Sequence, residues 1–106
     1  IVYCTDIEHP EKHLNQNVID IAMDADLLIN DAQFTDEQLP DHKGWGHSSW
    51  QQSTALASAA NVKQLILFHH SPDNNDAVIR EIEKDAQGIF NNTIAAREGQ
   101  EIKLPA

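Results

Sequence analysis

The stretch LILFHHSPD, residues 65 to 73, decides how this chain is read. With the residues before it, VKQLILF at 62 to 68 is almost continuously apolar, the pattern of an interior strand covered on both faces. The run ends in two imidazoles, His69 and His70. An interior strand carries the groups at its end to the edge of a sheet on a rigid support, which is where α/β proteins bind their ligands. Alternation along the strand sends His69 and His70 to opposite sides.

Working back from this strand, Thr54, Ala55, Leu56, Ala59 and Ala60 form small apolar faces at helical spacing, up to a stop at Asn61. Ser48 or Ser49 caps that helix, each with a glutamine three residues on. Residues 30 to 47, NDAQFTDEQLPDHKGWGH, hold a proline, two glycines and many polar groups, and read as a long loop of the kind that carries function. Leu27, Leu28 and Ile29 form a short buried strand. From Leu14, the positions Val18, Ile21, Ala22 and Ala25 predict an amphipathic helix of about three turns. Residues 1 to 5 are a strand, and HPEK at 9 to 12 a turn.

Working forward, PDNND at 72 to 76 caps a helix whose inner stripe is Val78, Ile82, Ala86 and Ile89, with Gly88 near its end. Residues 91 to 104 read as a weak hairpin turning at Glu98 and Gly99. The order is βαβ, loop, αβαββ, which is an α/β layer with helices packed on one face, or both, of a mixed sheet.

At 106 residues the chain holds one core at most. A 41% hydrophobic content suits a globular chain, and no apolar run approaches the roughly 18 residues of a membrane span. It opens on IVYC with no methionine or leader, as a piece of a longer protein would. The lone Cys4 rules out an internal disulfide and points to a reducing, cytoplasmic setting. The net charge of -10, with only seven basic residues, repels a phosphate backbone. A small substrate is therefore expected, and no long nucleic acid.

Three polar residues fall just past the three strands: Asp6, Asp31 and His69. If the strands are neighbours, two carboxylates and an imidazole converge at one edge, a donor set suited to zinc, manganese or iron. His47, at the end of the long loop, can join them. Each has a plainer reading, because Asp and His often follow strands as turn formers.

YCTD at 3 to 6, ADLLINDAQF at 25 to 34, GHSS at 46 to 49 and ANVKQLILFHHSP at 60 to 72 together resemble the C-terminal half of the metallo-β-lactamase fold. The resemblance is to its phosphodiesterase branch, which includes ribonuclease Z. It implies one partial domain over residues 1 to 106, half of an αββα sandwich, with the N-terminal half as its partner. It further implies two divalent metal ions, zinc foremost with manganese or iron as alternatives. Asp6 matches the aspartate that bridges the metals, and His69 the last histidine ligand. Asp31 falls where ribonuclease Z has a glutamate, and His47 matches a histidine that pairs with that acid to protonate or stabilise the scissile phosphate. The His-x-His-x-Asp-His metal motif of the N-terminal half is absent from these residues.

Other residues take the plainer reading. His9 and His13 have helical metal-pair spacing, but Pro10 between them makes a solvated pair the expectation. His42 is expected to be exposed, His70 to pack or to support the ligand shell, and Cys4 to be a small core residue. Trp45 and Trp50, flanking His47, are packing anchors or a stacking wall. The expected function is that of a metal-dependent hydrolase fragment, a phosphodiesterase for a small or cyclic nucleotide-like substrate, inactive by itself. The competing class is a non-catalytic regulatory or assembly module with a vestigial metal pocket. Isolated, the piece should expose apolar surface and self-associate.

Overall fold

The computed structural model describes residues 1–10, 13–68 and 70–102. Four strands, β1 (Val2–Cys4), β2 (Leu28–Asp31), β3 (Leu65–Phe68) and β4 (Thr93–Ala95), alternate with three helices, α1 (Gln16–Ala22), α2 (Trp50–Ala59) and α3 (Asp76–Ile89). The sheet order is β1-β2-β3-β4 and every pairing is parallel. Neighbouring parallel strands need a crossover, and each of the three crossovers here contains a helix.

All three crossovers step the same way across the sheet. Repeating a crossover of one hand in one direction stacks the helices on one face. That face is the core, where Leu28, Leu65 and Leu67 of the sheet meet Val18 and Ala22 of α1, Leu56 and Ala57 of α2, and Ile82 and Ala86 of α3. The other face carries the row Tyr3, Ile29, Ile66 and Ile94, aligned in register, with Phe68 beside it. No helix of the described residues lies over this row. Tyr3 is 54% exposed and Phe68 36%, and their rings meet at 5.5 Å across β2.

The helix ends follow their chemistry. Ser49 caps α2 with a full capping box, its hydroxyl accepting from the N–H of Gln52 while the Gln52 side chain accepts from the N–H of Ser49. Asn61, at φ 53°, follows α2 as the expected stop. Asn75 caps α3 by accepting from the N–H of Val78.

Three expectations are corrected. Residues 91 to 102 form no hairpin: Thr93–Ala95 pairs parallel with β3, because α3 returns the chain to the start of the sheet. The helical stripes are also narrower than their spacing suggests, since Ile21, Val78 and Ile89 are exposed. Helix α1 ends at Ala22, and its buried residues are Val18 and Ala22, one turn apart, with Ile19 partly buried beside them. The long loop is partly ordered by a bridge between Phe34 and Ser49 and by a 3-10 helix at Leu39–His42.

Candidate metal centre

Asp6 follows β1 and Asp31 closes β2, so a parallel sheet brings both to its C-terminal edge, the usual ligand-binding edge of such a sheet. His47 arrives from the loop before α2. One ligand atom from each of Asp6, Asp31 and His47 lies within 4.8 Å of the other two. Oxygen, oxygen and imidazole nitrogen form a donor set that fits a borderline divalent cation. His69, the fourth residue singled out in the sequence, lies outside the described residues, directly after the Phe68 that pairs with Asp31.

Asp31 is fully buried, and backbone donors surround it. Oδ1 accepts from the N–H groups of Gln33 and Ser48, both at 3.2 Å. Oδ2 accepts from the N–H of Asp6 at 3.0 Å and lies 2.8 Å from Nδ1 of His47. A carboxylate offers about four acceptor positions, and these contacts use them. His47 Nδ1 therefore carries a proton and donates it to Asp31, which leaves Nε2 as the outward nitrogen of the ring. Asp6 differs in being open to solvent. Its side chain is 64% exposed, and its Oδ1 lies 3.7 Å from His47 Nδ1.

The backbone around the site is built for this. Asp6 has φ 54°, a left-handed conformation that aspartate tolerates better than most residues, and its N–H turns back onto Asp31. Behind Asp31, buried Asn30 donates to Ser53 Oγ at 2.7 Å, and the Ser53 hydroxyl donates to the Asp31 carbonyl. Ser48 Oγ donates to the carbonyl of Ile7, tying the His47 loop to the segment after β1. A cleft of about 540 Å³ is walled by Glu8, His9, Leu14, Leu39, Pro40 and Lys43 among others, and none of Asp6, Asp31 and His47 lines it.

The remaining sequence candidates separate. His9 is not solvated: it is buried, Nδ1 accepts from the Asn15 N–H at 3.0 Å, and Nε2 has no hydrogen-bond partner among the described residues. Burial pushes its pKa down, with the Asp31 charge opposing. The sequence missed this because Pro10 suggested a surface turn. His13 is exposed, as expected. His42 is half-buried, its ring stacked on Phe34 at 4.3 Å and edge-on to Trp45 at 4.5 Å. Trp50 is a core anchor, while Trp45 is 62% exposed. Burial also pushes the His70 imidazole down and the Cys4 thiol up, so Cys4 is not poised as a thiolate. Glu8, which the sequence reading passed over, accepts backbone N–H groups from the loop that carries His47. Its signal was the pair of glycines in GWGH, a loop whose amides are free to converge on an anion.

No family model matches the chain. Among curated proteins it is similar to ribonuclease Z of Gemmatimonas aurantiaca, 39% identical over 83 residues that cover 78% of this chain and 26% of that protein. Ribonuclease Z of Azobacteroides pseudotrichonymphae is 38% identical over 96 residues, covering 91% of this chain and 31% of that one. The chain thus spans about a third or less of these relatives. Among solved structures it is similar to the metallo-β-lactamase fold protein YhfI from Bacillus subtilis, with TM-score 0.72 and 23% identity over 92% of this chain and 37% of that one. Human tRNase Z, short form, matches with TM-score 0.65 and 22% identity over 93% of this chain and 32% of that one.

These relatives overturn one expectation. The acidic balance had argued against a long nucleic acid, yet the relatives are named as ribonucleases, one of them a tRNase. Net charge over 106 residues averages over a surface, whereas a phosphate is held by local charge, a metal ion or a neighbouring part of a protein. The resemblance read from the four sequence motifs is borne out: in fold this is a metallo-β-lactamase chain, and in sequence a relative of ribonuclease Z.

Proposed function

We propose that this chain is the C-terminal part of a metallo-β-lactamase domain and, in the complete protein, serves metal-dependent hydrolysis of a phosphodiester in RNA. The observation that carries the reading is the convergence of Asp6, Asp31 and His47 at the C-terminal edge of the parallel sheet. Asp6, solvent-open and bidentate by nature, is assigned as the carboxylate that bridges two divalent ions, zinc foremost. His69 is assigned as a further ligand. Bound there, the ions activate water and neutralise phosphate charge.

His47 and Asp31 are assigned as a pair beside the metal. Asp31 fixes the ring through Nδ1, which leaves Nε2 to hold or deliver a proton at the leaving oxygen. The two ligands assigned to this chain, Asp6 and His69, fall short of the roughly four of a closed zinc site, which supports an inactive isolated chain. The row Tyr3, Ile29, Ile66 and Ile94, over which no helix of the described residues lies and which leaves Tyr3 exposed, supports a second half-domain packing on this sheet. The cytoplasmic setting stays with the reading and is supported by the lone Cys4.

A second reading, a small or cyclic nucleotide-like substrate, draws support from the aspartate at position 31 where ribonuclease Z has a longer acid. The full-length protein, assayed with zinc or manganese on a 3′-extended tRNA, a cyclic nucleotide and bis(p-nitrophenyl) phosphate, decides among these. Metal-dependent cleavage lost in Asp6→Ala and His69→Ala is the expected result. Cleavage indifferent to both changes, or none on any substrate, would leave the chain a non-catalytic module.

A further inference from the structure

We propose that Glu8 is a positioning residue: its carboxylate plugs an anion-binding nest made by the Gly44 and Gly46 amides, and so holds the loop that aims His47. The proposal rests on the assignment of His47 given above. Gly44 N–H lies 2.8 Å from Oε1 of Glu8 and 3.0 Å from Oε2, and Gly46 N–H lies 3.1 Å from Oε1. Two amides of one tight loop therefore converge on one carboxylate.

The loop is shaped for an anion. Gly44 and Gly46 have φ of 86° and 83°, alternating with Trp45, and nothing lies within 4 Å of where a Cβ would stand on either. Space does not require glycine at these positions; the backbone conformation does. Backbones with such left-handed residues turn near-successive N–H groups inward into a concavity that binds anions. The Gly46 and then the Gly44 hydrogen bonds hold the Glu8 carboxyl below the usual carboxylate range, with the Lys43 charge adding to the effect.

Position explains what this accomplishes. Glu8 lies two residues after Asp6, and Gly46 directly precedes His47. The two segments are laced by two rungs, the Ser48 hydroxyl to the Ile7 carbonyl and the Gly44 and Gly46 amides to Glu8, and both segments also reach Asp31, through the Asp6 N–H and through His47. Asp31 fixes the imidazole from the buried side. Glu8 fixes the backbone from the solvent side of the exposed stretch from Lys43 to Trp45, where the Trp45 N–H also donates to the His42 carbonyl and its ring lies edge-on to His42. Displacement of a catalytic group by about an ångström can cost about 100-fold in rate.

The test uses the full-length protein with metal. Glu8→Ala is expected to lower kcat about 10- to 100-fold with KM little changed, and to speed hydrogen exchange at the Gly44 and Gly46 amides. Glu8→Gln should retain most of kcat, because a single carbonyl at the Oε1 position accepts both amides. Added acetate or formate should restore much of the activity of Glu8→Ala by entering the emptied nest, and should do nothing for His47→Ala. Wild-type kcat and amide protection in Glu8→Ala, or loss in that variant that no small carboxylate repairs, overturns the proposal. Should His47→Ala keep full activity, the His47 assignment fails, whereas the exchange rates of Gly44 and Gly46 still report whether Glu8 holds the loop.

Discussion

His47 Nδ1 and Asp31 Oδ2 lie 2.8 Å apart, and that carboxylate, though without solvent exposure, accepts three backbone N–H groups as well. A buried charge is tolerated only when its acceptor positions are filled, so the acid and the fold around it are interdependent. Asp31→Asn keeps the shape but replaces one acceptor oxygen with an amide donor facing N–H groups. Hydrogen bonds to charged groups are worth about 1.5 to 3 kcal/mol each. We expect Asp31→Asn to lower stability by about 2 to 4 kcal/mol in urea unfolding, with an intact m-value, and to abolish metal-dependent cleavage in the complete protein. A variant as stable as the wild type would show the carboxylate to be dispensable to the fold.

The buried His9 makes the fold acid-sensitive. Burial holds its pKa below the ordinary 6.5, so below that pH the unfolded chain takes up a proton that the folded chain resists. Stability attached to this group is therefore complete above pH 6.5 and lost as pH falls from there towards the depressed folded value. Protonating Nδ1 also breaks its bond to the Asn15 N–H. One such group gives a slope of at most about 1.4 kcal/mol per pH unit. Unfolding midpoints measured from pH 7.5 to 5 should fall more steeply for the wild type than for His9→Gln; parallel curves would remove His9 from this role.

Ser53 supports the site from α2. Its hydroxyl accepts from buried Asn30 and donates to the Asp31 carbonyl, so Ser53→Ala strips a partner from each. Leaving a buried polar group unpaired costs about 1 to 3 kcal/mol. We expect a loss in that range by urea unfolding, and a smaller fall in activity than Asp31→Asn causes. Activity lost without any change in stability would mean that Ser53 acts on the chemistry directly.

The uncovered sheet face sets the behaviour of the isolated chain. With Tyr3 and Phe68 exposed beside Ile29, Ile66 and Ile94, residues 1–106 should self-associate, and the double change Tyr3→Lys and Phe68→Lys should shift the population towards monomer. Sedimentation velocity reads this directly. A wild-type chain that stays monomeric as concentration rises would contradict the expectation.

Metal binding separates the site from a chance cluster. Zinc or manganese should raise the unfolding temperature of the isolated chain modestly, because a ligand that prefers the folded state stabilises it by mass action. Asp6→Ala should remove that rise and a chelator should reverse it. A rise unchanged in Asp6→Ala would place the ion elsewhere.

Much of this was legible beforehand. The apolar run at residues 65 to 68, the capping pair Ser49 and Gln52, and the Asn61 stop are local signals, and each element they mark is present. The polar ends of β1 and β2 marked Asp6 and Asp31 because strand ends are where groups collect. The stripe positions Ile21, Val78 and Ile89 misled, since periodicity names the candidates for a face but not how wide a neighbour covers it. The same holds for residues 91 to 102, where a turn-like Glu98-Gly99 suggested local pairing while β4 in fact joins the distant β3.

The sequence by itself determined the alternation of strands and helices, the capped helix starts and the identity of the polar groups at the strand ends, because each depends on residues within a turn or two. Only the tertiary structure decided that all four strands run parallel, that His9 is buried, and that Glu8 reaches Gly44 and Gly46 from 36 and 38 residues away. Those outcomes depend on which segments pack together, and packing is settled by the whole core at once.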